Sequence, residues 1–124
     1  KPAEAAEAYK LELETNPRHF RASFNLSRVC RALGRVAEEE TYLELSRELN
    51  PGFPLTYFYL ARLRLNRGTD FEEAVGLVKR GLELKPEAKD LPLGYFLLAD
   101  LYNRLGDNAR AADYARRGRA LAGR

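Results

Sequence analysis

The chain has 124 residues, of which 45% are hydrophobic and 31% charged, and its net charge at pH 7 is +3. This balance indicates a soluble folded domain and excludes a disordered chain, and no apolar run approaches the roughly 18 residues of a membrane-spanning helix. The single cysteine excludes an intrachain disulfide and a cysteine-based metal site, and 21 basic residues against 18 acidic ones do not by themselves indicate nucleic-acid binding.

The most informative feature of the chain is a repeat of about 34 residues. Pro17, Pro51 and Pro86 lie 34 and then 35 residues apart, and each follows a helix-like segment. Glycines end the other helix-like segments, namely Gly34, Gly68 and Gly106. A left-handed glycine suits a helix C-terminus, and no helix continues through a proline. Each unit is therefore predicted to consist of helix A, a Gly turn, helix B and a Pro turn.

Taken in chain order, the pattern predicts seven helices and no strands. The helices are expected at about 2–15, 19–33, 36–49, 54–67, 71–85, 92–105 and 108–122. The first is a helix B without its helix A, so the predicted units are a half repeat 1–17 and repeats 18–51, 52–86 and 87–124 of a single domain. An opening within a repeat and the lack of methionine indicate a piece of a longer protein.

Small and large residues recur at fixed positions within the helices. Helix A reads Ser23-x-x-Leu26-Ser27, Tyr57-x-x-Leu60-Ala61 and Tyr95-x-x-Leu98-Ala99 in successive repeats, and helix B reads Ala5-x-x-x-Tyr9 and Ala74-x-x-x-Val78. This pattern resembles the tetratricopeptide repeat over nearly the whole chain. The resemblance implies an all-α fold, a right-handed superhelical α-solenoid of antiparallel helix pairs.

The chain departs from the family pattern at three places. Glu39 and Glu12 occupy positions of helix B that are small in the family. We expect the Glu39 carboxylate to reach solvent or find an arginine, with a looser helix contact. The last helix has no closing proline, and its apolar stripe is expected to be only partly covered. That stripe consists of Ala111, Ala112, Ala115, Leu121 and Ala122.

The resemblance implies a non-enzymatic protein-interaction scaffold that binds a peptide or partner segment in a concave groove lined by the A helices. Helical spacing predicts which side chains face this groove. They are Arg21, Phe24, Asn25, Arg28, Phe58, Tyr59, Arg62, Asn66, Phe96, Leu97, Asp100 and Arg104. Arginines beside exposed aromatic rings favour a ligand with an acidic residue near large apolar side chains. The competing interpretation is that the phenylalanines pack between helices and the arginines only solvate the surface.

Other functions are less well supported by the sequence. No phosphate-binding loop and no recurring nucleophile or base is present, so we expect no enzyme activity, no cofactor and no metal site. RNA binding by the arginines and aromatic rings is one alternative, and self-association through the last helix or a spacer role is another. No membrane partner is expected. The sequence does not determine the compartment, although the cytoplasm is favoured because the first residues do not form a signal peptide.

Overall fold

The computed structural model describes residues 1–123, which contain seven α-helices, one 3₁₀ helix and no strand. The α-helices are α1 (Pro2–Thr15), α2 (Phe20–Ala32), α3 (Val36–Leu49), α4 (Pro54–Arg67), α5 (Phe71–Glu83), α6 (Leu91–Arg104) and α7 (Asn108–Ala122). The 3₁₀ helix Ala88–Asp90 directly precedes α6. The predicted all-α fold and number of helices are confirmed. Arg124, the end of the last predicted repeat, lies outside the described residues.

The helix ends use the residues that the sequence pattern singled out. The three turn glycines have φ values of 74°, 81° and 85°, which is the left-handed conformation expected at these turns; they are Gly34, Gly68 and Gly106. His19, the only histidine, caps α2 because its Nδ1 accepts a hydrogen bond from the Ala22 amide at 3.0 Å. Asp107 caps α7 in the same way through the Arg110 amide at 3.1 Å.

Apart from shifts of one residue at the ends of α2 and α6, the structure differs from the prediction at two places. The fifth helix was expected to reach residue 85 but ends at Glu83, because Lys85 adopts a left-handed conformation with φ of 56°. The longer segment before the last repeat, expected to be only a turn, contains the 3₁₀ helix Ala88–Asp90. A single turn of 3₁₀ helix is a common way to begin an α-helix, and here it leads directly into Leu91.

The chain consists of two compact units, unit 1 (residues 1–52) and unit 2 (from Phe53 onward). In unit 1, α2 packs against both α1 and α3. Its core is formed by Ala6, Leu26 and Cys30, which are all fully buried. Partly buried side chains surround this cluster, namely Tyr9, Leu13, Val29, Leu33 and Tyr42. Cys30, the single cysteine of the sequence, therefore lies in this core as a small buried side chain.

The contact between α2 and α3 includes hydroxyl groups. The Ser23 hydroxyl donates to the Tyr42 carbonyl oxygen at 2.8 Å and lies 2.9 Å from the Ser46 hydroxyl, and both serines are fully buried. Glu39 of α3 is only 3% exposed. Of the two outcomes expected for its carboxylate, access to solvent is therefore excluded. The hydrogen-bonded serines allow two helices to meet closely without an unpaired buried hydroxyl.

In unit 2, the core is organised around Phe58. Its side chain is fully buried, although an exposed position in a groove was predicted for it. The ring lies against two glycines, since a Cβ atom built on Gly81 of α5 would come within 2.6 Å of it and one built on Gly94 of α6 within 2.9 Å. The prediction is therefore wrong at Phe58. The ring fills the space that two missing side chains leave between three helices.

A related arrangement joins α6 and α7. A Cβ atom on Gly118 would come within 2.7 Å of the Phe96 ring, which is half-buried. Beside this contact, Tyr114 stacks on Tyr95 and on Tyr102 with centroid distances of 6.0 and 5.7 Å. The stacked tyrosines and the Phe96–Gly118 contact together hold α7 against α6.

The apolar stripe of α7 is partly covered, as expected from the sequence. Ala111 is 3% exposed, whereas Ala115 and Leu121 are half-buried and Ala112 and Ala122 are exposed. The side chains that remain accessible are mostly single methyl groups, which contribute little apolar surface. Only Ala111 of the stripe is fully buried, so part of the stripe remains accessible.

Substitution by alanine is predicted to change the stability of the protein in opposite directions at two glycines of α5. Gly81→Ala should destabilise the protein by about 1–2 kcal/mol, because the new methyl group overlaps a ring that is held on both sides. Gly76→Ala should instead stabilise it by about 0.5–1 kcal/mol, because Gly76 is exposed, has no atom near its would-be Cβ, and alanine favours the helix.

Urea denaturation followed by circular dichroism measures both changes in the free energy of unfolding. Gly76→Ala is the matched control, since it makes the same chemical change on the same helix. A stabilising effect of Gly81→Ala would contradict the close contact with Phe58.

Candidate functional site

An open pocket of about 320 Å³ in unit 1 adjoins the predicted binding residues of α2. Two predicted binding residues, Asn25 and Arg28, line it from α2. The rest of the lining comes from Pro2 and Tyr9 of α1 and from Val29 and Ala32 of α2. Arg28 is exposed and Asn25 is half-buried. The pocket thus joins one accessible guanidinium and one amide to an apolar wall.

The other two predicted residues of α2 do not contribute to this pocket. Arg21 is exposed. Phe24 is only 5% exposed, and its ring stacks on Phe20 with a centroid distance of 5.9 Å. The expectation that Phe24 offers an exposed apolar anchor is therefore wrong.

The face of α4 in unit 2 carries a cation–π pair. The guanidinium carbon of Arg62 lies 4.4 Å from the centroid of the Tyr59 ring, and both side chains are half-buried. Such contacts contribute about 0.5–2 kcal/mol, and they hold the guanidinium in one orientation. Asn66, one turn further along α4, is exposed. The structure thus brings Tyr59 and Arg62 together.

The predicted residues of α6 divide into accessible and inaccessible ones. Asp100 and Arg104 are exposed, one turn apart. The Arg104 guanidinium carbon lies 5.7 Å from the Phe71 ring centroid, so this arginine contacts α5. Leu97 is only 4% exposed, and the expectation that it faces an open groove is wrong. Of the predicted residues of α6, the two polar ones are exposed and Phe96 is half-buried.

The predicted row of exposed phenylalanines is not present, since Phe24 and Phe58 are buried and Phe96 is half-buried. The physical reason is that the rings of Phe58 and Phe96 fill recesses over glycines of the following helix B. A sequence signal for this exists: a small residue follows each phenylalanine by 22 or 23 positions. These small residues are Ser46, Gly81 and Gly118.

A contributor that the sequence reasoning missed is Tyr9. It lies on α1, a helix B, and was therefore assigned only to packing, but it lines the same pocket as Arg28. Its ring is half-buried against the unit 1 core. A tyrosine that packs on one side and borders a pocket on the other gives a ligand an ordered apolar surface.

Lys10 and Cys30, both in unit 1, have shifted pKa values. The hydrogen bond and charge of Glu38 raise the pKa of Lys10, whose Nζ lies 3.3 Å from the Glu38 carboxylate. Burial raises the pKa of the Cys30 thiol, which keeps it protonated and unreactive at neutral pH. Within residues 1–123, no three His, Cys, Asp or Glu side chains are grouped as metal ligands. Nor does any helix of this range have the length and apolarity required to cross a membrane.

The burial of Phe58 leads to a testable expectation for adjacent aromatic residues. Phe58→Ala should destabilise the protein by about 3–5 kcal/mol, as much as Leu60→Ala, because both side chains are fully buried. Tyr59→Ala should cost only about 1 kcal/mol, since this ring is half-buried. Chemical denaturation of the three variants provides the comparison. A small loss for Phe58→Ala would show that its ring is accessible after all.

Comparison with known proteins gives the family. Sequence profiles of the tetratricopeptide repeat match residues 1–54 and 94–118. A search of curated protein sequences found no match. Two crystal structures of MamA superpose with a TM-score of 0.81 each at 16% identity, over 94% and 97% of this chain. The structure of BtubC (BKLC) from P. vanneervenii superposes with a TM-score of 0.79 at 20% identity, over 98% of this chain.

At these identities the structural similarity shows the fold alone. The chain spans only 66% and 63% of the two MamA chains and 57% of the BtubC chain. The two profile matches together cover more than half of the 124 residues, and the glycine-turned helix pairs agree with them. Tetratricopeptide repeats are typically protein-interaction scaffolds. The chain belongs to the tetratricopeptide-repeat family.

Proposed function

We propose that this chain is a protein-interaction scaffold that binds a peptide segment of another protein through exposed residues of its A helices. The observation that carries the proposal is the pocket beside α2, where Arg28 and Asn25 adjoin an apolar wall. A peptide needs both kinds of contact, because apolar burial supplies affinity and polar groups fix the register.

The chemistry of the pocket favours a ligand with an acidic residue next to a large apolar one. Arg28 is exposed, and no ion pair within residues 1–123 involves it, so its guanidinium is available to a carboxylate. Tyr9 and Val29 provide the surface for the apolar side chain. Asn25 can donate to or accept from the peptide backbone.

The remaining proposed contacts are side chains of the A helices, on α2 in unit 1 and on α4 and α6 in unit 2. In unit 2, Arg62 stacked on Tyr59 is a second position suited to a carboxylate. The other proposed contact residues are Arg21 on α2, Asn66 on α4, and Asp100 and Arg104 on α6. Phe24, Phe58 and Leu97 are not part of the proposal, because they are buried.

A peptide-display selection on the folded chain, followed by fluorescence anisotropy with the selected peptides, tests the proposal. Arg28→Glu should weaken binding at least about tenfold, because it places a second carboxylate where the ligand's carboxylate binds. The matched control is Arg31→Glu, which makes the same change one turn away on α2 at a residue that does not line the pocket. It should change the affinity less than about twofold.

Two results would contradict the proposal. One is an equal loss for Arg28→Glu and Arg31→Glu, which would indicate a general charge effect. The other is that no peptide is selected while single-stranded RNA binds with an affinity that falls steeply with salt. The second result would support the nucleic-acid alternative.

A further inference from the structure

A second surface of unit 1 combines an apolar pocket with a strongly acidic surrounding. An open pocket of about 420 Å³ lies between α1 and α3, the two B helices of this unit. Leu13, Pro17, Tyr42 and Leu45 form its apolar wall, and Lys10 and Glu14 lie at its rim. None of these residues belongs to the proposed peptide site. We call this surface the acidic pocket.

The charge around the acidic pocket is unusually one-sided. Helix α1 carries four glutamates against one lysine, and α3 carries five glutamates, of which Glu39 is buried, against one arginine. Both cations are already paired, Lys10 with Glu38 at 3.3 Å and Glu7 at 3.8 Å, and Arg47 with Glu44 at 2.6 Å. Glu14 and Glu48 are exposed, and neither forms an ion pair within residues 1–123. Basic groups approaching this surface would therefore be attracted to it.

Helix α7 carries the opposite charge. It contains four arginines against one aspartate. Its exposed side, which we call the basic face, consists of Ala109, Ala112, Arg116, Arg119 and Ala120. Arg119 forms no ion pair within the described residues, whereas Arg116 pairs with Asp113 at 3.1 Å and Asp113 also pairs with Arg117 at 3.0 Å. The alanines leave room for another helix to approach closely.

Arginine is the side chain that the acidic pocket fits best. Its methylene stem packs on apolar surface while the guanidinium remains at the rim, and its planar cation stacks on tyrosine rings. In the acidic pocket the stem would lie against Leu13 and Leu45, with Tyr42 beside it and Glu14 at the rim. A lysine or a purely apolar side chain would use only part of this surface.

We propose that the acidic pocket of one molecule binds the basic face of α7 of a second copy of this chain. The occupant is argued from charge complementarity, because the chain itself carries both the acidic and the basic partner surface. The contact uses the arginines of α7 together with its exposed alanines, among them Ala112 of the apolar stripe. Because the two contacting surfaces differ, a pair of molecules still has one unoccupied acidic pocket and one unoccupied basic face.

The test is the concentration and salt dependence of the mass of the whole chain, measured by sedimentation velocity. At low salt the average mass should rise above the 14.1 kDa of the monomer with increasing concentration. The association constant should fall about tenfold or more between 25 and 300 mM salt, since exposed charges are screened. A mass that stays at 14.1 kDa at every concentration would overturn the proposal.

Charge reversal identifies the two surfaces. Glu14→Arg/Glu48→Arg and Arg116→Glu/Arg119→Glu should each remove self-association when studied alone. An equimolar mixture of the two variants should associate again, because the reversed pocket then meets the reversed helix. Arg31→Glu/Lys89→Glu is the matched control, with the same change in net charge as the α7 variant at exposed positions outside both surfaces. It should associate like the unmodified chain.

Circular dichroism confirms the folding of each variant, and Glu14→Gln/Glu48→Gln replaces the arginine variant if the latter does not fold. The neutral variant should weaken association by severalfold. Association that survives the α7 reversal, or a mixture that remains monomeric, would overturn the pairing. If the pocket instead binds an added arginine-rich peptide while the chain remains monomeric, the occupant is a different basic protein and the proposal is wrong.

Discussion

The structure depends on one steric arrangement, in which an aromatic ring of a first helix occupies the space above a glycine of its second helix. Phe58 lies between Gly81 and Gly94, and the half-buried Phe96 lies on Gly118. A single methyl group at Gly81 or Gly94 would enter the ring's van der Waals envelope. The close approach of α4, α5 and α6 therefore requires both the large ring and the missing side chains.

This arrangement also determines what remains for binding. Because Phe24 and Phe58 are buried inside the units, the fully exposed side chains among the predicted contacts on the A helices are polar, and Tyr59 and Phe96 are half-buried. Ligand recognition on this face would then rest on arginine and asparagine beside small apolar walls, as at the pocket of Arg28. Contacts of this kind give specificity and moderate affinity, which suits a scaffold with exchangeable partners.

Much of the fold could be predicted from the sequence, because its determinants are local. The periodic prolines and left-handed glycines fix where helices end, and the observed helices agree with that pattern within two residues. The end of α5 was missed because the left-handed Lys85 has no glycine to indicate it. The twofold division of the chain into units likewise has no signal in composition, and the predicted repeat boundaries stay a prediction.

The candidate site was predicted less well, because exposure depends on what the other helix provides. Spacing along α4 places Phe58 on the same side as Arg62, but only Gly81 and Gly94 decide that the ring is enclosed. Tyr9 was missed for a related reason, since a helix B can border a pocket on the side of its neighbouring helix A. Pairing each large residue with the small residues of the next two helices would have corrected the first error.

The unequal distribution of charge is a separate property of the molecule. The glutamates of α1 and the arginines of α7 are solvent-exposed, whereas on α3 Glu48 is exposed, Glu39 is buried and the other glutamates are half-buried. Charges of this kind are free to vary without loss of the fold. The proposed self-association rests on their segregation into helices of opposite sign.

The most direct test of the central arrangement is a double-mutant cycle between Phe58 and Gly81, measured by urea denaturation. Phe58→Leu leaves a cavity and Gly81→Ala overfills the same space, so each change alone should destabilise the protein. If the ring and the glycine share one space, the double variant should be more stable than the sum of the single losses predicts, by about 1 kcal/mol. Losses that simply add would show that Phe58 and Gly81 do not interact, and would contradict this account of the fold.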